Sequence, residues 1–206
     1  MPDALRGVLD RNTYYFRSVY LRIVRGLDYL SSRDDWDGKT LLLTGRSQGG
    51  GLALVGAGLD RRVTGIVCAV PALCELGAEK YGRPASWPRN VHADEHDYGA
   101  ALGAQTIDGH GPPSETARRV SGYFDAVNFC RRARCPAVVA LGMVDTCVPP
   151  TTVFSALNCL EQSSLTVITA TDRGHNADGD PRYRRDDFLC EMAERGGSRL
   201  LRAGVN

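Results

Sequence analysis

The sequence predicts an α/β protein with a parallel sheet covered by helices on both faces. Three observations carry that expectation. The runs 39–44, 63–70, 136–143 and 165–170 are short and almost continuously apolar, as strands buried on both sides are. Helical segments alternate with them, which is the pattern of a parallel sheet with crossover helices. A glycine-dense turn, Gly45 to Gly51, joins the first of these runs directly to a helix.

The elements follow in chain order. Tyr14 to Leu30 spaces Val19, Ile23, Leu27 and Leu30 along one helical face, with Arg17, Arg22 and Arg25 mostly elsewhere, so an amphipathic helix is expected. Asp34 to Gly38 is a polar turn before the first strand, Lys39 to Thr44. The helix after the glycine turn consists of small and apolar residues and ends near Gly58. Val63 to Val70 is the second strand, stopped by Pro71. From Ala72 to about Ser121 the chain is irregular and rich in Gly and Pro, and it reads as an inserted lid containing some helix. Pro136 to Met143 is the third strand, followed by Pro149-Pro150 and a helix through about Leu160. Leu165 to Ala170 is the fourth, and a helix from Arg184 to Arg195 closes the unit. No internal repeat or low-complexity segment interrupts this single domain of residues 1–206.

Composition narrows the function classes. With 43% hydrophobic and 24% charged residues, the 206-residue chain has the balance of an ordinary globular domain. A formal net charge of +1 offers no electrostatic footprint for nucleic acid or an acidic membrane. The pairs Arg61-Arg62, Arg118-Arg119, Arg131-Arg132 and Arg184-Arg185 are scattered and read as solvated faces. Seven cysteines with no CxxC spacing predict free, buried thiols and a reducing, cytoplasmic setting. The opening MPDALRGVLDRN lacks a positive start followed by an apolar core, so no signal peptide is expected. No apolar run approaches the length of a bilayer span.

The chemistry is concentrated at strand ends. Gly45-Arg46-Ser47-Gln48-Gly49 matches G-x-S-x-G, placed between a buried strand and a helix as a nucleophile elbow must be. There the serine sits in a strained turn, and a Cβ two positions to either side is expected to collide with neighbouring backbone. The helix start offers the Gln48 N–H to a developing oxyanion. Asp145 lies just past the third strand and His175 just past the fourth. In open α/β sheets, sites form at the carboxyl ends of strands. The order Ser, Asp, His is that of the α/β-hydrolase fold. A serine hydroxyl needs an imidazole to take its proton, and a carboxylate to orient that imidazole. Ser47, Asp145 and His175 are therefore the expected nucleophile, orienting acid and base.

Other patterns compete with this one. TGRSQGGG also fits the TGxxxGxG turn of short-chain dehydrogenases. The chain has only Lys39 and Lys80, however, and Asp35 and Leu76 stand where a Tyr-x-x-x-Lys needs tyrosine. Pro71 stands where an acidic ribose-binding residue would end the second strand. Gly38-Lys39-Thr40 resembles a P-loop tail, but Arg33 replaces its first glycine and a strand follows rather than precedes it. His92-Ala93-Asp94-Glu95-His96 fits H-x-x-E-H; without a partner acidic helix it reads as a solvated lid turn, so no metal is expected. His110 reads as a loop residue, and Trp87, Tyr98 and Tyr123 as core or lid packing.

Segments 13–30, 44–74 and 121–158, with the DRGH of 172–175, resemble carbohydrate esterase family 7, the acetyl xylan esterase and cephalosporin C deacetylase group. The specific features are the SQGGG run leading to a valine-rich strand and Pro71-Ala72-Leu73-Cys74, and the Gly142-x-x-Asp145-x-x-x-Pro149-Pro150 segment. The stretch from about Tyr81 to Thr116 carries least of it. The resemblance implies an α/β-hydrolase core with a serine triad at Ser47, Asp145 and His175. It also implies cofactor-free deacetylation of small acetylated sugars or related esters, often by a ring-shaped homo-oligomer.

The departure concerns the N-terminal half. Members of that family have several strands before the helix with which this sequence begins, so the sheet is expected to hold the last four strands of a partial α/β-hydrolase domain. The apolar run Leu41-Leu42-Leu43 would then be an uncovered edge. The second oxyanion group, a tyrosine on an upstream loop in the resembled family, has no match here. Loss of one oxyanion donor typically costs on the order of 100- to 1,000-fold in rate. The expectation is therefore weak activity or none from this chain alone. The alternative to an esterase is an inactive fragment or pseudoenzyme that keeps the fold for association.

Overall fold

The computed structural model describes residues 2–89, 115–160 and 164–194. The longer elements are α1 (Tyr15–Ser31), β1 (Leu42–Arg46), α2 (Gln48–Leu59), β2 (Gly65–Ala69), α3 (Glu115–Gly122), α4 (Ala126–Cys130), β3 (Ala137–Gly142), α5 (Pro150–Leu157), β4 (Leu165–Ala170) and α6 (Arg185–Glu194). The strands form one parallel sheet in the order β1-β2-β3-β4. The predicted parallel α/β architecture is present, and the pleat explains the continuously apolar runs. Ile66, Cys68, Val139 and Leu141 share a core with Phe16, Tyr20, Leu54 and Val153. Their neighbours in sequence, Val67, Ala69, Val138 and Ala140, join Ile168, Tyr183 and Met192 in a second core. Alternate residues along a strand face opposite ways, so each strand must be apolar throughout.

Two expectations shift. The first strand begins at Leu42 rather than Lys39, because the Asp37 carboxylate accepts the Lys39 and Thr40 N–H groups at 2.8 and 2.7 Å. That turn holds 37–40 out of the ladder. On α1 the buried residues are Phe16, Val19, Tyr20 and Leu27, while Leu30 is exposed. Residues 28–30 are all exposed, so the helix runs past the core before its apolar spacing ends.

β1 is an edge strand, but its side chains are not bare. Leu42 packs on the core containing Met192, and Leu43 on the core containing Phe16. Among the described residues, no strand pairs with the outer backbone of β1.

The segment after β2 enters the core before it reaches the surface. Ala72, Leu73, Cys74, Leu76 and Ala78 are buried. The buried Asp125 carboxylate accepts the N–H groups of Glu75 (2.9 Å), Leu76 (2.7 Å) and Val127 (3.0 Å), tying this segment to the start of α4. Burial nonetheless holds the Asp125 carboxyl above its ordinary range. Trp87 sets its ring against Phe16, and Tyr123 is exposed. His92, Glu95, His96, Tyr98 and His110 lie outside the described residues.

All seven cysteines are free; Cys68, Cys74, Cys130 and Cys135 are buried, and Cys190 is exposed. Burial pushes the Cys68 thiol up to about 12 and that of Cys135 up to about 11. Among the described residues, no helix is long and apolar enough to cross a membrane.

Candidate active site

The sharp turn from β1 into α2 sets the position of Ser47. Its backbone lies at φ 55° and ψ −120°, a region that residues with a Cβ rarely adopt. Backbone bonds on both sides hold it there. The Ser47 N–H donates to Ala69 O at 3.0 Å, and the Ser47 carbonyl accepts from the N–H groups of Gly51 and Ala72, both at 3.0 Å. A Cβ on Gly45 would lie 2.3 Å from the Gly49 carbonyl, so the first glycine of the motif is a steric requirement. Gly49 differs from expectation: a Cβ there would meet nothing within 4 Å. The close approach falls at Gly51, whose Cβ would lie 2.0 Å from Ala72 O, because the chain leaving β2 crosses the first turn of α2 at that point.

The three predicted side chains converge from β1, β3 and β4. His175 Nε2 lies 2.8 Å from Ser47 Oγ, and His175 Nδ1 lies 2.7 Å from Asp145 Oδ2. The Asp145 side chain is fully buried and that of His175 is 27% exposed. The second Asp145 oxygen accepts the N–H groups of Cys147 and Val148 at 2.8 and 2.9 Å, which fixes the plane of the carboxylate. Burial raises the neighbouring Cys147 thiol. The Gln48 N–H, at the first turn of α2, donates to no acceptor among the described residues. It is therefore available to an oxygen bound in front of Ser47.

Further residues shape the site without having stood out in the sequence. The Arg46 guanidinium donates to the carbonyl of His175 and pairs with Asp178 at 3.1 Å. Val144 N–H donates to Arg173 O at 3.2 Å, and Arg89 reaches the carbonyl of Thr146 at 2.6 Å. Arg46 fills the variable position of G-x-S-x-G, and no local spacing signals a bond to a residue 129 positions away. Among the described residues, no group of three or more His, Cys, Asp or Glu side chains could hold a metal ion.

The family model for acetyl xylan esterase (AXE1) matches residues 4–189. This chain belongs to the acetyl xylan esterase family. It is 36% identical over 168 residues to the acetyl esterase Axe7A of Xylanibacter ruminicola, a match covering 79% of this chain and 34% of that protein. The acetyl xylan esterase from Paenibacillus sp. R4 aligns with a TM-score of 0.72 and 27% identity, over 91% of this chain and 55% of that one. Acetyl xylan esterase 1 from Thermoanaerobacterium sp. JW/SL YS485 aligns at 0.70 with 23% identity, over 91% and 58%. This family member thus has the α/β-hydrolase fold expected of it, and spans about a third of the curated relative and just over half of each solved esterase.

Proposed function

We propose that the chain carries the catalytic residues of a serine carboxylesterase that removes acetyl groups from small acetylated sugars. The observation that carries this reading is the unbroken line Asp145 Oδ2–His175 Nδ1, His175 Nε2–Ser47 Oγ, at 2.7 and 2.8 Å. With Nδ1–H donated to the carboxylate, Nε2 presents its lone pair to the serine hydroxyl. Ser47 Oγ attacks the acetyl carbonyl as His175 takes its proton. The oxyanion is received by the Gln48 N–H, reinforced by the start of α2. His175 then protonates the leaving alcohol, and water drawn through the same base hydrolyses the acetyl-enzyme.

The acetyl ester preference rests on family membership and on what its relatives are named for. We read the partners as small-molecule acetyl esters, with association into a homo-oligomer and a cytoplasmic setting; of the expected lid, residues of about 72–121, the part from 90 to 114 lies outside the described residues. No cofactor takes part in this scheme. The outer backbone of β1, with no strand paired to it among the described residues, supports a second reading, in which the chain serves mainly for association.

Hydrolysis of p-nitrophenyl acetate by the purified chain, beside Ser47→Ala, tests the proposal. Turnover that falls by several orders of magnitude in the variant is expected, up to about a million-fold where a triad works as a unit. Turnover surviving in Ser47→Ala would refute it, and a folded chain with no turnover would favour association.

A further inference from the structure

We propose that Arg46 is a positioning residue that holds the catalytic base in register with the nucleophile. The inference rests on the reading of Ser47, His175 and Asp145 given above.

His175 sits on a loop after β4, at the opposite edge of the four-stranded sheet from β1. Two sets of contacts pin that loop. On the β3 side, the Val144 N–H donates to Arg173 O at 3.2 Å, and Gly142 lets the Arg173 and Gly174 carbonyls approach closely. On the β1 side there is Arg46, the residue immediately before the nucleophile. Its Nη2 donates to the carbonyl of His175 itself, and its Nε lies 3.1 Å from Asp178 Oδ2, three residues further on. Asp178 belongs to the short 3-10 turn Ala177–Gly179, anchored by the buried Ala177.

A planar guanidinium suits this task because its separate N–H groups can serve a carbonyl and a carboxylate together. Ser47 and Arg46 are adjacent, so whatever displaces the elbow displaces the clamp on the base with it. The distance between Oγ and Nε2 thereby depends on this short stretch of chain as well as on the contacts from the β3 side. The Arg46 and Asp178 side chains are 48% and 37% exposed, so as an ion pair they add little to stability. Their effect belongs to geometry, where small displacements of a reacting group cost on the order of 100-fold.

The test compares Arg46→Met, Arg46→Lys and Asp178→Asn with the wild-type chain, using p-nitrophenyl acetate turnover and the far-downfield proton resonance of His175 Nδ1–H. Arg46→Met is expected to lower kcat by about 10- to 100-fold with KM within about threefold. The Nδ1–H resonance should broaden as the imidazole loses its fixed contact with Asp145. Arg46→Lys, which keeps the charge and one contact, should recover part of both, and Asp178→Asn should fall between wild type and Arg46→Met. An Arg46→Met chain with kcat within about twofold of wild type and an unchanged resonance overturns the inference; so does a loss confined to KM. The resonance decides alone if wild type shows no turnover. Activity that survives Ser47→Ala instead sinks the triad reading, while the resonance still reports on the clamp.

Discussion

Gly142 and Gly174 approach so closely that a Cβ on Gly142 would lie 2.2 Å from the Gly174 carbonyl oxygen and 2.4 Å from that of Arg173. The contact joins the last residue of β3 to the residue before His175, and no side chain lies between them to yield.

Gly142→Ala is therefore expected to push residues 173–175 away from the strand end. Asp145, three residues beyond Gly142, is held separately by the N–H groups of Cys147 and Val148 and would stay in place. The His175 imidazole would then separate from both the Asp145 carboxylate and the Ser47 hydroxyl, the three groups of the proposed triad. Activity should fall by about 100-fold or more, as it does for displaced catalytic groups. The melting temperature should drop by only a few degrees if the loop alone moves. A Gly142→Ala chain with near wild-type kcat would show that this approach is not required.

Backbone strain at Ser47 gives a prediction that separates stability from catalysis. At φ 55° and ψ −120°, a residue with a Cβ carries strain of about 1–3 kcal/mol. Ser47→Ala keeps that strain and Ser47→Gly relieves it, at an entropic cost of about 0.5–1 kcal/mol in the unfolded chain. Ser47→Gly should accordingly be more stable than Ser47→Ala by about 1 kcal/mol in urea unfolding, with both inactive. Equal stabilities would limit the strain at the elbow to about 1 kcal/mol or less.

How far the sequence reached can be judged from such positions. Strands buried on two faces announce themselves by apolar runs, and a site at strand ends follows once those runs are found. Hence the sequence alone singles out Ser47, Asp145 and His175, whose side chains lie within hydrogen-bonding distance of one another in the fold. The start of β1 is not legible in this way, because the Asp37 carboxylate takes the Lys39 and Thr40 N–H groups and the Thr64 hydroxyl takes that of Leu41. Nor was the role of Gly51 in place of Gly49, which depends on where the chain after β2 crosses α2. Arg46 was hidden for the same reason: its partners are distant in sequence, and an arginine in a variable motif position carries no periodic signal.

The last prediction concerns acid. Asp180 is buried, and its carboxylate receives the Arg182 guanidinium at 2.8 and 2.9 Å and the Arg182 N–H at 2.9 Å. These bonds pull its pKa from the usual carboxylate range down to about 2. A group depressed in the folded state binds protons more readily when unfolded, so stability rises with pH across the interval between the two values. The contribution of Asp180 is complete above about pH 5, where even the unfolded carboxyl is mostly ionised, and is lost as pH falls toward about 2. Asp180→Asn removes that dependence. The difference in urea midpoint between wild type and Asp180→Asn should be constant from about pH 7 to about pH 5, then shrink steadily below that. Other depressed carboxylates, such as Asp60 beside Arg62, titrate in both proteins and cancel from the difference. A difference that stays level down to the acid limit would show that the carboxylate of Asp180 is no better held in the folded chain than in the unfolded one.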